Sequence, residues 1–161
     1  MHDSEGAGLA DRNDPRGSRE LHKGMRMSQG AQQPLHVFLV EDSPIIRERL
    51  TESLSTPGRI EVVGHADTEH GAVAALKITE WDVLVLDLQL KQGTGLGVLK
   101  ALAGAKPEGA KVIVLTNYAI PQFRDRSVAL GADFFFDKSR EYYRVKSVLE
   151  DLAANRDGQP H

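Results

Sequence analysis
Five residues whose side chains could do chemistry each stand at the end of a short apolar run. Glu41 and Asp42 follow residues 35–40, Asp87 follows Leu84-Val85-Leu86, Thr116 follows Val112-Ile113-Val114-Leu115, and Lys138 lies two residues beyond Phe134-Phe135-Phe136. Three carboxylates brought to one place repel one another and raise each other's pKa. A divalent cation relieves that repulsion, and carboxylate, carbonyl and water oxygens with few protein ligands suit Mg²⁺. A carboxylate beside such an ion can attack phosphorus as a nucleophile. The cation and Lys138 would neutralise charge on the transferring group, and the Thr116 hydroxyl would bond one of its oxygens. Singly, each residue has an ordinary reading: a loop carboxylate, a strand-end charge, a good strand former, a surface cation. Asp87 resists its own, because no helix begins directly after it and simple capping does not explain it.

The chemistry requires elements that bring those positions together. Apolar runs at 35–40, 60–64, 82–86, 111–115 and 134–136 read as strands buried on both faces. Between them the apolar spacing is helical. Ile46, Leu50 and Leu54 recur every four residues, with Ser43 as the expected cap, Pro44 in the first turn and Pro57-Gly58 as the stop. Ala72, Ala75 and Leu76 form the next stripe, and Leu99 and Leu102 the third, closed by Pro107. Val128 and Ala129 precede Gly131, and Tyr142, Val145, Leu149 and Leu152 mark the last helix. All of these stripes are expected to be core. Five βα units in order imply an α/β fold with a five-stranded parallel sheet and right-handed crossovers. The active crevice of such a sheet lies at the carboxyl ends of its strands, where the five residues stand.

With those motifs in hand, the segment 35–155 resembles the receiver domain of two-component response regulators. Glu41-Asp42 matches the family's metal-binding acidic pair, and Val83-Leu84-Val85-Leu86-Asp87 its strand ending in the phosphoacceptor. Gly95 matches the glycine after that loop, Val112–Thr116 the strand ending in the switch hydroxyl, and Gly131-Ala132-Asp133 with Lys138 the run into the lysine. Phe135 falls at the switch aromatic. The resemblance implies a flavodoxin-like (βα)5 fold with strand order 2-1-3-4-5. It implies phosphoryl transfer to Asp87 assisted by Thr116 and Lys138. It implies Mg²⁺ held by Glu41, Asp42, Asp87 and the backbone carbonyl of Gln89, with Gln89, Asn117 and Tyr118 tuning phosphoryl lifetime. Implied partners are a histidine kinase or phosphotransfer protein, a downstream protein that reads a changed face, and a phosphorylation-linked dimer. Ser139 and Lys91 stand where the family often has proline, and Asn117 where it usually has Ala or Ser. An enzyme on the same fold, flavoprotein or phosphatase-like, and a receiver that acts without phosphorylation are the alternative readings.

The remaining features narrow the field. The net charge is −3 over 161 residues, which gives no broad pull toward nucleic acid or an anionic membrane, so neither is expected as a partner. There is no cysteine, which fits a reducing compartment, and no apolar run approaches a membrane span, so a cytoplasmic location is expected. Residues 1–34 hold glycines and both signs of charge but no aromatic residue, valine or isoleucine, and are expected to be a disordered tail. Residues 156–161 are expected to be a short tail, too small for an output domain, which favours a stand-alone regulator. Gly93-Thr94-Gly95-Leu96-Gly97 invites a dinucleotide reading, but Val98 stands at the third glycine position and the run follows the third strand rather than the first.

Overall fold
The computed structural model describes residues 33–157. The expected tail at 1–34 lies almost wholly outside them, as does most of 156–161. The described chain alternates strand and helix throughout: β1 (Leu35–Val40), α1 (Pro44–Leu54), β2 (Ile60–Ala66), α2 (Glu69–Ile78), β3 (Val83–Leu86), α3 (Gly95–Leu102), β4 (Lys111–Thr116), α4 (Pro121–Ala129), β5 (Phe134–Asp137) and α5 (Tyr142–Asp157). The five strands form one sheet in the order β2-β1-β3-β4-β5, and the four pairings are all parallel. This is the flavodoxin-like fold expected from the sequence.

Strand alternation divides the core between the two faces of the sheet. Phe38, Val40, Leu84, Leu86, Val112 and Val114 point to the side covered by α2 and α3. Val37, Leu39, Val83, Val85, Ile113 and Leu115 point to the side covered by α1 and α5, where Leu50, Leu54, Val145 and Leu149 meet them. Both faces of the central strands are therefore dry, which accounts for their unbroken apolar sequences.

Several boundaries differ from the sequence reading, each for a local reason. Asp82 lies just outside β3; its carboxylate accepts the His36 N–H at 2.7 Å and the Arg156 guanidinium at 2.8 Å. That ion pair ties down the last turn of α5, which runs to Asp157. β2 runs to Ala66 rather than 64, because β1 continues to pair with Gly64, His65 and Ala66 after an irregularity in register. The helix after β3 stops at Leu102, well before Pro107. Val128, expected in the core, is 56% exposed. α4 buries only Ser127 fully, so its apolar spacing does not mark a core stripe.

Candidate functional site
The sheet brings the strand ends to one edge. Val40 pairs with Leu86, and Asp87 N–H extends that ladder by donating to the Val40 carbonyl at 3.0 Å. On the other side Thr116 pairs with Asp137, and Lys138 N–H donates to the Thr116 carbonyl at 2.8 Å. Glu41, Asp87, Thr116 and Lys138 therefore emerge from neighbouring strands at one level.

Lys138 is the hub. Its Nζ donates to Glu41 Oε1 at 2.7 Å and to Asp87 Oδ2 at 2.6 Å. The Lys138 side chain is 10% exposed, and the carboxylates of Glu41 and Asp87 are 4% and 7% exposed. Burial by itself pulls the ammonium down, but the bonds to Asp87 and then Glu41 outweigh it and hold Lys138 above the ordinary lysine value. The second oxygens are also engaged. Glu41 Oε2 accepts from Ser43 N–H at 3.0 Å, and Asp87 Oδ1 from Gln89 N–H at 3.1 Å.

Asp42 completes the acidic group. Oxygens of Glu41, Asp42 and Asp87 all lie within 4.8 Å of one another. Three carboxylates with one ammonium leave net negative charge in a half-buried place, which fits a divalent cation better than a second ammonium. Ser43 accepts from Ile46 N–H and caps α1, and Pro44 follows in its first turn, so the helix starts directly behind the acidic pair. Gly95 lies against the acceptor loop. A Cβ there would meet the Leu88 Cα at 2.8 Å and the Asp87 carbonyl oxygen closer still.

The remaining predicted residues surround this centre. Thr116 is fully buried, and its Oγ1 accepts from Tyr118 N–H at 3.1 Å. Phe135 is buried beneath α4, with the Arg124 guanidinium 4.7 Å from its ring centre. Gln89, Asn117 and Tyr118 are exposed at the rim. Asn117 and Lys138 share a cleft of about 690 Å³ with Ile46, Arg49, Glu52, Ser53 and Tyr142. Among the described residues no helix is long and apolar enough to cross a membrane. Sequence reasoning did not single out Asp133 as a structural acceptor. Its carboxylate receives the Val112 N–H at 2.8 Å and fixes the start of β4.

The arrangement gathers three carboxylates, an ammonium and a hydroxyl at the carboxyl ends of the strands of a flavodoxin-like sheet. The sequence model of the response regulator receiver domain matches residues 37–150, and the chain belongs to that family. The DNA-binding transcriptional activator DevR/DosR of Mycobacterium tuberculosis is 28% identical over 120 residues, covering 74% of this chain and 55% of that protein. The protein-glutamate methylesterase/protein-glutamine glutaminase 3 of Myxococcus xanthus is 35% identical over 100 residues, 62% of this chain and 26% of that protein. The signal receiver domain of the response regulator NarL from Mycobacterium tuberculosis superposes with a TM-score of 0.67 at 25% identity, covering 78% of this chain and 100% of that chain. The chain thus spans about half, or less, of the length of these curated relatives. Membership sets aside the flavoprotein and phosphatase-like readings of this segment.

Proposed function
We propose that this receiver domain is a phosphorylation switch with Asp87 as its phosphoacceptor. The observation that carries the reading is the Lys138 ammonium bridging Glu41 and Asp87 at the edge where β1, β3 and β5 end. Asp87 supplies the nucleophilic oxygen. It forms the new P–O bond as the bond from phosphorus to the donor group breaks, leaving an acyl phosphate on Asp87. An ammonium has three donors, and two are spent on Glu41 and Asp87, so the third can meet a phosphoryl oxygen. Thr116 Oγ1 accepts from Tyr118 N–H, and its O–H can donate to another. Glu41, Asp42, Asp87 and the Gln89 carbonyl would hold Mg²⁺, which adds positive charge where the phosphoryl oxygens gather.

The donor is a histidine kinase or phosphotransfer protein, and the output is a rearranged protein-binding face. Phe135 lies on β5 opposite Val114, two residues before the Thr116 partner Asp137. A Thr116 side chain drawn toward a phosphoryl oxygen would free space for the ring and let α4 shift. Asn117 at the rim would slow access of small donors and of water to Asp87.

The test is intact mass after incubation of the full chain with Mg²⁺ and a small acyl-phosphate donor. One added phosphoryl group is expected, absent without Mg²⁺ and absent in Asp87→Asn. Undiminished labelling of that variant would remove Asp87 from the role, and no labelling of the parent would favour a receiver that works without phosphorylation.

A further inference from the structure
The run Gly93-Thr94-Gly95-Leu96-Gly97 lies in a loop tied both to Asp87 and to the start of α2. Residues 88–94 form a small hairpin in which Gln89 and Thr94 bridge antiparallel, and Gly95 N–H donates to the Leu88 carbonyl at 2.9 Å. Gln89 N–H in turn donates to Asp87 Oδ1. The far side of the hairpin is fastened to the residues leading into α2. Thr68 and Gln92 bridge in parallel, Glu69 N–H donates to the Gln92 carbonyl at 2.9 Å, and Lys91 Nζ pairs with Asp67 at 3.3 Å. Glu69 closes the join. Its Oε1 accepts the N–H of Thr94, the cap residue of α3, at 3.0 Å. Two glycines make room for it. A Cβ on Gly93 would fall 2.6 Å from Glu69 Oε1, and one on Gly97 would overlap the carboxylate itself. Gly93 also has φ +79°, which glycine adopts without steric cost.

We propose that Glu69 is a positioning residue for the phosphoacceptor site. Its carboxylate, seated at the start of α3 between Gly93 and Gly97, holds the hairpin so that the Gln89 main chain addresses Asp87 and the cation. The inference rests on the phosphoacceptor reading of Asp87. Its physical basis is independent of that reading. A carboxylate at a helix start bonds an N–H that has no partner within the helix and complements the helix dipole. The hairpin is largely exposed, so cross-ties rather than packing must set its shape. Lys91 has no ring to stiffen the hairpin, and its ammonium pairs with Asp67 across the same join that Glu69 closes.

Three variants of the full chain test this: Glu69→Ala, Glu69→Gln and Gly97→Ala. Each is followed by Mg²⁺ titration calorimetry, by amide exchange at Gln89 and Thr94, and by the rate of phosphoryl uptake at low and saturating Mg²⁺. Glu69→Ala should weaken Mg²⁺ binding about tenfold, the usual scale for a residue that orients a ligand. It should also speed both exchange rates and slow uptake at low Mg²⁺, with recovery at saturation. Glu69→Gln keeps the acceptor oxygen and should restore most of the affinity. Gly97→Ala favours the helix yet displaces the carboxylate, so it should lose Mg²⁺ affinity without losing thermal stability. Parent affinity and parent exchange in Glu69→Ala and Gly97→Ala would overturn the proposal. A parent that binds Mg²⁺ but takes up no phosphoryl group would overturn the Asp87 reading instead, and the exchange and affinity ratios would still decide the role of Glu69.

Discussion
α1 and α4 both border the site, and they are held very differently. α1 starts with a Ser43 side-chain cap, has Pro44 in its first turn, and sinks Leu50 and Leu54 into the core. Arg47 adds a bond from its guanidinium to the Glu41 carbonyl at 3.2 Å. α4 also opens on a proline, Pro121, but its cap residue Ile120 makes no side-chain bond; the helix buries only Ser127 fully, and Ile120 and Val128 are 45% and 56% exposed. Few buried apolar contacts mean a low cost of local opening. Of the two helices, the one behind the acidic pair is therefore the better anchored, and the one beside Thr116 and Phe135 the less well held. The proposed switch needs that division: the reacting groups must stay in place while a neighbouring element moves.

Breaking the fixed half should give the largest effect. Lys138→Met keeps the chain length and removes the ammonium shared by Glu41 and Asp87. Stripping one partner from a buried ionic group costs about 3 kcal/mol, seen as a lower thermal midpoint in Mg²⁺-free buffer. Phosphoryl uptake should fall by about a hundredfold or more, because a charge-stabilising donor is lost. Mg²⁺ should restore part of the stability and little of the rate. The pH dependence follows from the raised pKa of Lys138, whose ordinary value is 10.5. A group with a raised folded pKa stabilises fully below its unfolded value and loses that contribution as pH rises through the folded one. The parent should therefore lose stability on the alkaline side of that value, and the variant should lack this part of the decline. Parent-like melting and uptake in Lys138→Met would erase the contrast with α4.

The legible parts of this molecule were those where one residue type answers to one constraint. The central strands read clearly because both faces are dry, and the apolar run ends where the chain reaches the edge of the sheet. That alone placed Glu41, Asp42, Asp87, Thr116 and Lys138 together. The end of β2 was hidden, because Gly64, His65 and Ala66 are strand only through pairing with β1. The last residues of α5 depend on Arg156 reaching Asp82, a contact across 74 positions. Val128 looked like core because its helix has so few apolar residues that two neighbours resembled a stripe. Glu69 carried no local signal. Its partner is 25 positions away, and the trace it leaves is a pair of glycines four residues apart in another loop.

A smaller effect tests what holds α4. Arg124 projects from that helix over the Phe135 ring at 4.7 Å and reaches the Phe135 carbonyl at 3.5 Å. Arg124→Ala should cost about 0.5–1 kcal/mol, the range for a cation–π pair at an exposed site. Amide exchange should quicken in α4 and not in α1, and phosphoryl uptake by Asp87 should not change. Arg124→Lys should recover part of the protection. Equal acceleration in both helices would mean that the two are one cooperative unit.

The smallest expected effect has the opposite sign. Ser127 is the one fully buried side chain of α4, and its Oγ has no hydrogen-bond partner. A hydroxyl taken out of water without a partner costs about 1–3 kcal/mol relative to a satisfied one, and serine is also a poorer helix former than alanine. Cavity formation opposes the gain only slightly, since the Cβ remains and a single oxygen is lost. Ser127→Ala should therefore raise stability, by about 1 kcal/mol net. Urea unfolding should show a higher midpoint with an unchanged slope, because the surface exposed on unfolding barely changes. The gain falls in the element proposed to shift, so exchange in α4 should slow while α1 is unaffected. A lower midpoint would mean that the hydroxyl is satisfied by a bound water, and α4 would then be better anchored than its side chains suggest.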